Sequence, residues 1–147
     1  MSGGCPSQLT ASALMPLLSD GRLDARIEQL KQEYSRRAKA YTTAIEEEWV
    51  PQGVEYNSCI GGYFFWVKLP EGLTSKEVFE EAMTDHVWIM EGTSCMVPND
   101  DSVQYDRFIR ICIALEKENK AVEGIRRLGK VFQRLRAKKS LDNGGTN

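Results

Sequence analysis

Arg110 is the side chain of this sequence best suited to bind an anion. It lies in the apolar run 108–114, where every second residue is an isoleucine: Ile109, Ile111 and Ile113. Alternation with β-branched residues predicts a strand whose isoleucine face is buried, with Arg110 on the opposite face. A guanidinium there stays charged, and its planar fork matches a carboxylate or phosphate through two parallel hydrogen bonds. A solvated surface arginine, or one paired with Asp or Glu, is the commoner use, and these residues alone favour it.

No catalytic set accompanies Arg110. His86 is the single histidine and follows Asp85 at a predicted helix-to-strand junction, which favours a turn residue over a general base. Gly61-Gly62 precedes a strand, so it does not form a phosphate-binding helix start. The aromatic run 63–66 could stack a ligand on one face, but half of it must be core. We therefore predict one anion site and no catalytic residue in the chain.

The four cysteines do not indicate a metal centre. They are widely spaced and include no CxxC pair: Cys5, Cys59, Cys95 and Cys112. With one histidine beside them, neither a zinc site nor a small disulfide scaffold is expected. Reduced thiols then favour a cytoplasmic protein.

Charge and hydropathy exclude several classes of partner. The 147 residues carry a formal net charge of -2, so no broad basic surface predicts binding to nucleic acid or an anionic membrane. No apolar run has the length of a membrane span, and the first residues lack the features of a secretory signal.

The elements that position Arg110 can be predicted from periodicity. A short helix over 7–19, kinked or shortened by Pro16, precedes a long amphipathic helix that runs from an N-cap at Asp24 to Trp49. Pro51 and Gly53 end the long helix.

After residue 51 the spacing of apolar residues changes from helical to strand periodicity. Strands are predicted over 54–56, 63–69, 87–90 and 108–114. Two helices are also predicted, over 74–85 and 117–136. Thr74 and Glu77 form a capping box for the first of these, with Val78, Phe79, Ala82 and Met83 facing inward. The order indicates an α+β fold, a small sheet covered by helices on one face. The expected organisation is an arm and connecting helix over 1–50, a domain over 51–137 and a disordered tail over 138–147.

Five stretches in this order resemble the C-terminal portion of class I/II aminotransferases, the pyridoxal-phosphate enzymes of fold type I. Residues 61–72 combine two glycines, an aromatic strand ending in Trp-Val-x-Leu-Pro and the start of a capped helix. The stretches 87–92, 107–114 and 121–128 resemble the family's glycine turn, its arginine strand and its last helix. Residues 24–49 resemble the helix that joins the large and small domains. The chain most resembles the aminoadipate and multifunctional amino-acid branch.

The resemblance implies a role for Arg110, because the family's arginine at this place grips the substrate's α-carboxylate. It implies a small C-terminal domain with a mostly antiparallel sheet, pyridoxal phosphate as cofactor, amino-acid and 2-oxo-acid substrates, and a homodimeric full-length protein. The family's Schiff-base lysine and phosphate-binding residues lie in the large domain, which would precede Met1. No lysine here stands in the corresponding Ser-x-x-Lys context, so the chain is not expected to bind the cofactor covalently. Glu91 replaces the family's usual proline, and Cys95-Met96 replaces a common aromatic, so the 91–97 turn is expected to differ in shape.

Three functions remain open at this point. The first is the C-terminal part of an aminotransferase-like polypeptide, inactive alone because the lysine is missing. The second is a stand-alone module that binds a carboxylate ligand through Arg110. The third is a non-functional truncated gene product, whose long helix would expose its apolar stripe.

Overall fold

A computed structural model of the protein describes residues 7–97 and 105–144, with side chains as far as residue 141. The chain consists of two compact units, Met1–Arg36 and Arg37–Asn147. The boundary between them falls within the long helix, and the sequence-based boundary after residue 50 stays a prediction. In the part of the chain that is described, no helix is long and apolar enough to cross a bilayer.

The first unit contains helix α1 (Gln8–Ser19) and the start of helix α2 (Arg22–Glu48). Pro16 lies inside α1 without ending it. The predicted N-cap of α2 at Asp24 is wrong, because α2 begins two residues earlier and Asp24 lies in its first turn. Asp20, the C-cap of α1, contacts the start of α2: its Oδ1 accepts from the Arg22 amide at 3.1 Å, and its Oδ2 accepts from the Arg22 Nε at 2.6 Å.

The C-terminal end of α2 belongs to the second unit and carries buried side chains. Ile45 and Trp49 are fully buried, and the Trp49 Nε1 donates to the Ile125 carbonyl at 2.7 Å. The helix ends as predicted, through a 3₁₀ turn at Val50–Gln52 and a left-handed Gly53 with φ of 90°. A glycine is favoured there because that φ strains other residues.

A four-stranded antiparallel sheet forms the centre of this unit. Its strands are β1 (Glu55–Tyr56), β2 (Phe64–Lys68), β3 (Met90–Glu91) and β4 (Phe108–Cys112), in the order β1-β2-β4-β3. The predicted strand over 87–90 is wrong except at its last residue. The amides of His86 and Val87 donate to Met83 and Ala82 at the end of the preceding helix, so they are not available to a neighbouring strand.

Helices α3 (Ser75–Thr84) and α4 (Glu118–Gly144) pack together. The predicted capping box is confirmed, since Thr74 and Glu77 satisfy each other's backbone amides. The predicted disorder over 138–147 is wrong as far as Gly144, because α4 continues. Lys138 and Lys139 hold this extension against α3 through ion pairs of 2.8 Å to Glu81 and 2.7 Å to Glu77.

The core lies between one sheet face and α4, as an α+β fold requires. Apolar side chains from β2, from β4 and the residue after it, and from α4 are fully buried there: Phe65, Val67, Ile109, Ile113, Leu128, Val131 and Phe132. Two side chains depart from expectation. Ile111, predicted on the buried face of the strand, is only half-buried, and Met83, predicted to face inward, is 40% exposed.

Candidate carboxylate-binding site

Arg110 lies on the outer face of the sheet, opposite the core. Its cross-strand partners are Trp66 on β2 and Met90 on β3. Directly paired residues of antiparallel strands point to the same face. The neighbouring pair, Phe65 and Ile111, therefore points to the core face. The alternating sequence pattern thus correctly predicted that Arg110 lies on the face of β4 opposite the core.

The guanidinium of Arg110 is held by groups that carry no charge. Its Nη2 donates to the Met90 Sδ at 2.9 Å, and its Cζ lies 4.2 Å from the centroid of the Phe64 ring. No described acidic residue makes an ion pair with it. Since a guanidinium has five N–H donors, the described residues leave most of its donors available to an anion.

Aromatic rings cover the sheet face next to Arg110. The rings of Trp66 and Phe108 stack at 5.5 Å with an interplanar angle of 14°. Tyr105 contacts both rings, at centroid distances of 6.4 and 6.1 Å. A bound acid held by Arg110 would therefore meet a largely apolar surface, where a charge-assisted hydrogen bond is stronger than in water.

Two residues of α2 fix the end of β4, and no sequence pattern indicated either contact. The Arg37 Nη1 donates to the carbonyls of Ile113, Ala114 and Glu116 at 3.3, 2.9 and 3.3 Å. The Tyr41 hydroxyl donates to the Cys112 carbonyl at 3.3 Å. Burial raises the pKa of Tyr41, and the nearby Cys112 adds to the rise. These contacts join residues more than 70 positions apart, which helical periodicity cannot reveal.

A cavity of about 620 Å³ lies beside the site, between residues 86–90, β4 and the first turns of α4. Arg110, Trp88 and Cys112 are among its lining residues. His86 also lines it, with φ of 57° and its amide bonded to Met83, as expected for a turn residue. The cavity therefore reaches the strand that carries Arg110, and charged residues of 116–127 also line it.

The turn after β3 supports the start of β4 through a glycine. Residues Gly92–Cys95 form a 3₁₀ turn. A Cβ at Gly92 would lie 2.7 Å from both the Phe108 and the Tyr105 carbonyl oxygens. The backbone at Tyr105 and Phe108 approaches Gly92 so closely that only glycine fits at this position.

The fold, a small antiparallel sheet covered by helices, is similar to the C-terminal portion of fold-type-I aminotransferases. Among the homologues and structural neighbours of the chain are pyridoxal-phosphate-dependent aminotransferases of fold type I.

Three comparisons show the extent of the similarity. The 2-aminoadipate transaminase of Thermus thermophilus is 30% identical over 121 residues, which is 82% of this chain and 29% of that protein. An uncharacterised HTH-type transcriptional regulator of Escherichia coli is 29% identical over 90% of this chain and 27% of its own length. The solved α-aminoadipate aminotransferase of T. thermophilus, complexed with N-(5'-phosphopyridoxyl)-L-leucine, superimposes with a TM-score of 0.72 at 28% identity, over 83% of this chain and 30% of that one.

The chain thus spans less than a third of the length of these relatives. No family model matches the sequence.

The relatives imply pyridoxal phosphate as the cofactor. The residues around Arg110 do not by themselves fit it. Lys68, which shares the outer face, is engaged in an ion pair of 2.9 Å with Glu55. The aromatic side chains offer faces for stacking but no charge for a phosphate. The chemistry of this site, one guanidinium beside aromatic rings, suits a carboxylate.

Proposed function

We propose that this chain is the substrate-carboxylate-binding part of an aminotransferase-like protein, and that Arg110 grips the α-carboxylate of an amino acid or a 2-oxo acid. The observation that carries the proposal is the arginine's setting. It projects from a paired strand onto an aromatic face, and no described acid neutralises it. Fixing the carboxylate would orient the rest of the substrate, and positioning of this kind contributes several kcal/mol to catalysis.

Calorimetric titration tests this role. We expect L-leucine or 2-oxoglutarate to bind the wild-type chain saturably, and Arg110→Ala to weaken binding by about tenfold or more, because a hydrogen bond to a charged group contributes about 1.5–3 kcal/mol. Arg110→Lys should lose part of the affinity, since a point charge cannot replace a bidentate fork.

Arg126→Ala is the matched control, because it removes an exposed arginine that pairs with Glu48 away from the site. Equal affinities for the wild type and Arg110→Ala would overturn the proposal.

We also propose that the 147 residues do not transaminate alone, because no lysine among them matches the Schiff-base position of the family. A full-length protein would be a homodimer by analogy with the family, and we expect it in the cytoplasm.

The absence of transamination by the 147 residues can be tested directly. Incubation with pyridoxal phosphate and borohydride should leave no stoichiometric adduct at a single lysine, and no amino-group transfer should be measured. Trapping at one lysine would contradict this expectation.

A stand-alone binding module is the second candidate. The unit Arg37–Asn147 has a buried core of its own, and one relative is described as a transcriptional regulator rather than as an enzyme. Both candidates predict Arg110-dependent binding of an amino or 2-oxo acid. Amino-group transfer that stays absent after an aminotransferase large domain is added would favour the module. An inert remnant predicts instead a broad thermal transition and no binding.

A further inference from the structure

Phe64 is the side chain that lies against the guanidinium of Arg110. We infer that Phe64 is a positioning residue, which holds Arg110 so that its N–H donors face an incoming carboxylate. The inference rests on the proposed function of Arg110. It adds a specific task for an aromatic side chain that stands 46 positions away in the sequence.

The geometry of the sheet places the two side chains together. Phe64 pairs with Cys112 across β2 and β4, so it points to the same outer face as Arg110, one diagonal step away. The Arg110 Cζ lies 4.2 Å from the Phe64 ring centroid, well inside the range of a cation–π contact. Tyr63 meets the Phe64 ring edge-on at 6.5 Å and 89°, which limits the ring's own freedom.

An aromatic partner suits an arginine that must bind a substrate. The Arg110 Cζ lies over the ring, which attracts the cation without being a carboxylate that competes for its N–H donors. An acidic partner would occupy the same donors and compete with the carboxylate. The only hydrogen bond that the described residues give the guanidinium is to the Met90 sulfur, a weak acceptor.

The exposure of Phe64 also needs a reason. Its side chain is 47% exposed although its neighbour Phe65 is fully buried. Arg110 would otherwise be a long side chain with large rotamer freedom on an open surface. A ring beneath it restricts that freedom before the ligand arrives, which reduces the entropic cost of binding.

The test compares Phe64→Leu, which removes the ring, with Phe64→Tyr, which keeps it. Phe79→Leu is the control, because its ring packs on Trp88 at 5.8 Å and has no cation–π contact with any residue that the structure describes. All variants are first shown to melt like the wild type.

The first readout is the Nε–Hε signal of Arg110 in the ligand-free chain, measured by ¹⁵N relaxation and chemical shift. We expect an ordered, ring-shifted signal in the wild type, Phe64→Tyr and Phe79→Leu. Phe64→Leu should lose both the order and the ring shift. An unchanged Arg110 signal in Phe64→Leu overturns the inference.

The second readout is the affinity for 2-oxoglutarate. Phe64→Leu should bind roughly two- to five-fold more weakly, the loss expected for an exposed cation–π contact, and Phe64→Tyr should restore wild-type affinity. If Arg110→Ala loses binding and Phe64→Leu does not, the positioning role fails while the proposed function stands. If Arg110→Ala binds like the wild type, the proposed function fails, and the role of Phe64 toward a ligand fails with it.

Discussion

Arg110 shows how much a single residue pattern can predict. Alternation with three isoleucines fixed its strand and its face, and both are confirmed. Its partners, Phe64 and Met90, lie 46 and 20 residues away, and only the strand register brings them together. Local patterns predict which way a side chain points, whereas the identity of its neighbours depends on the pairing of distant strands.

A substitution at the single residue Gly92 tests how closely the turn approaches the start of β4. Gly92→Ala should destabilise the chain by about 1–3 kcal/mol, because the added Cβ would meet backbone atoms of Tyr105 and Phe108 that cannot move cheaply. The free energy of unfolding in urea measures this cost.

Gly124→Ala is the control with the opposite sign. Nothing lies within 4 Å of a Cβ at Gly124, which is inside α4. Alanine in a helix interior is favoured by about 0.5–1 kcal/mol over glycine, so this variant should be more stable. A Gly92→Ala variant as stable as wild type would show that the turn does not approach β4 so closely.

At the scale of elements, the sequence predicted the parts that have local signals. The capping box of α3 and the apolar stripe of α2 are such signals, and both elements form. The start of β3 and the end of α4 had no local signal. Backbone hydrogen bonds to the end of α3 delay the start of β3, and ion pairs to α3 extend α4. Tertiary contacts therefore determine both of these ends.

The ion pairs between α3 and α4 predict a pH dependence of stability. Hydrogen bonds from Lys138 and then Arg134 hold the pKa of Glu81 below its ordinary value. The unfolded chain therefore binds more protons at this group, whose unfolded pKa is about 4.3. Its stabilising contribution is present above that pH and is lost as the pH falls through the folded pKa.

Glu81→Gln should thus destabilise the chain at pH 7, by about 1 kcal/mol at most since its partners are partly exposed, and much less at pH 3. Urea unfolding at several pH values measures the difference. Glu80→Gln, which removes an exposed carboxylate without an ion pair among the described residues, should not change the pH profile. Parallel profiles for Glu81→Gln and the wild type would show that the network does not stabilise the fold.

At the scale of the whole molecule, the two units differ in how they are stabilised. Helix α1 contains no buried residue, whereas the unit Arg37–Asn147 has a core of fully buried apolar side chains. Hydrogen exchange should therefore be fast throughout α1 and slow in β2 and β4, because amides of a buried sheet open only with global unfolding. Mass spectrometry of exchanged peptides measures this contrast. Equal protection of α1 and β4 would contradict it.

The central claim is that Arg110 binds a carboxylate, and the most direct measurement follows its own signal during a titration. Adding L-leucine or 2-oxoglutarate to the ¹⁵N-labelled chain should shift the Arg110 Nε–Hε resonance saturably, with the same midpoint as the calorimetric curve. Arginines engaged elsewhere, such as Arg134 in its pairs with Glu81 and Asp85, should not shift. A resonance of Arg110 that stays in place at saturating acid, or equal shifts at every arginine, would contradict the account.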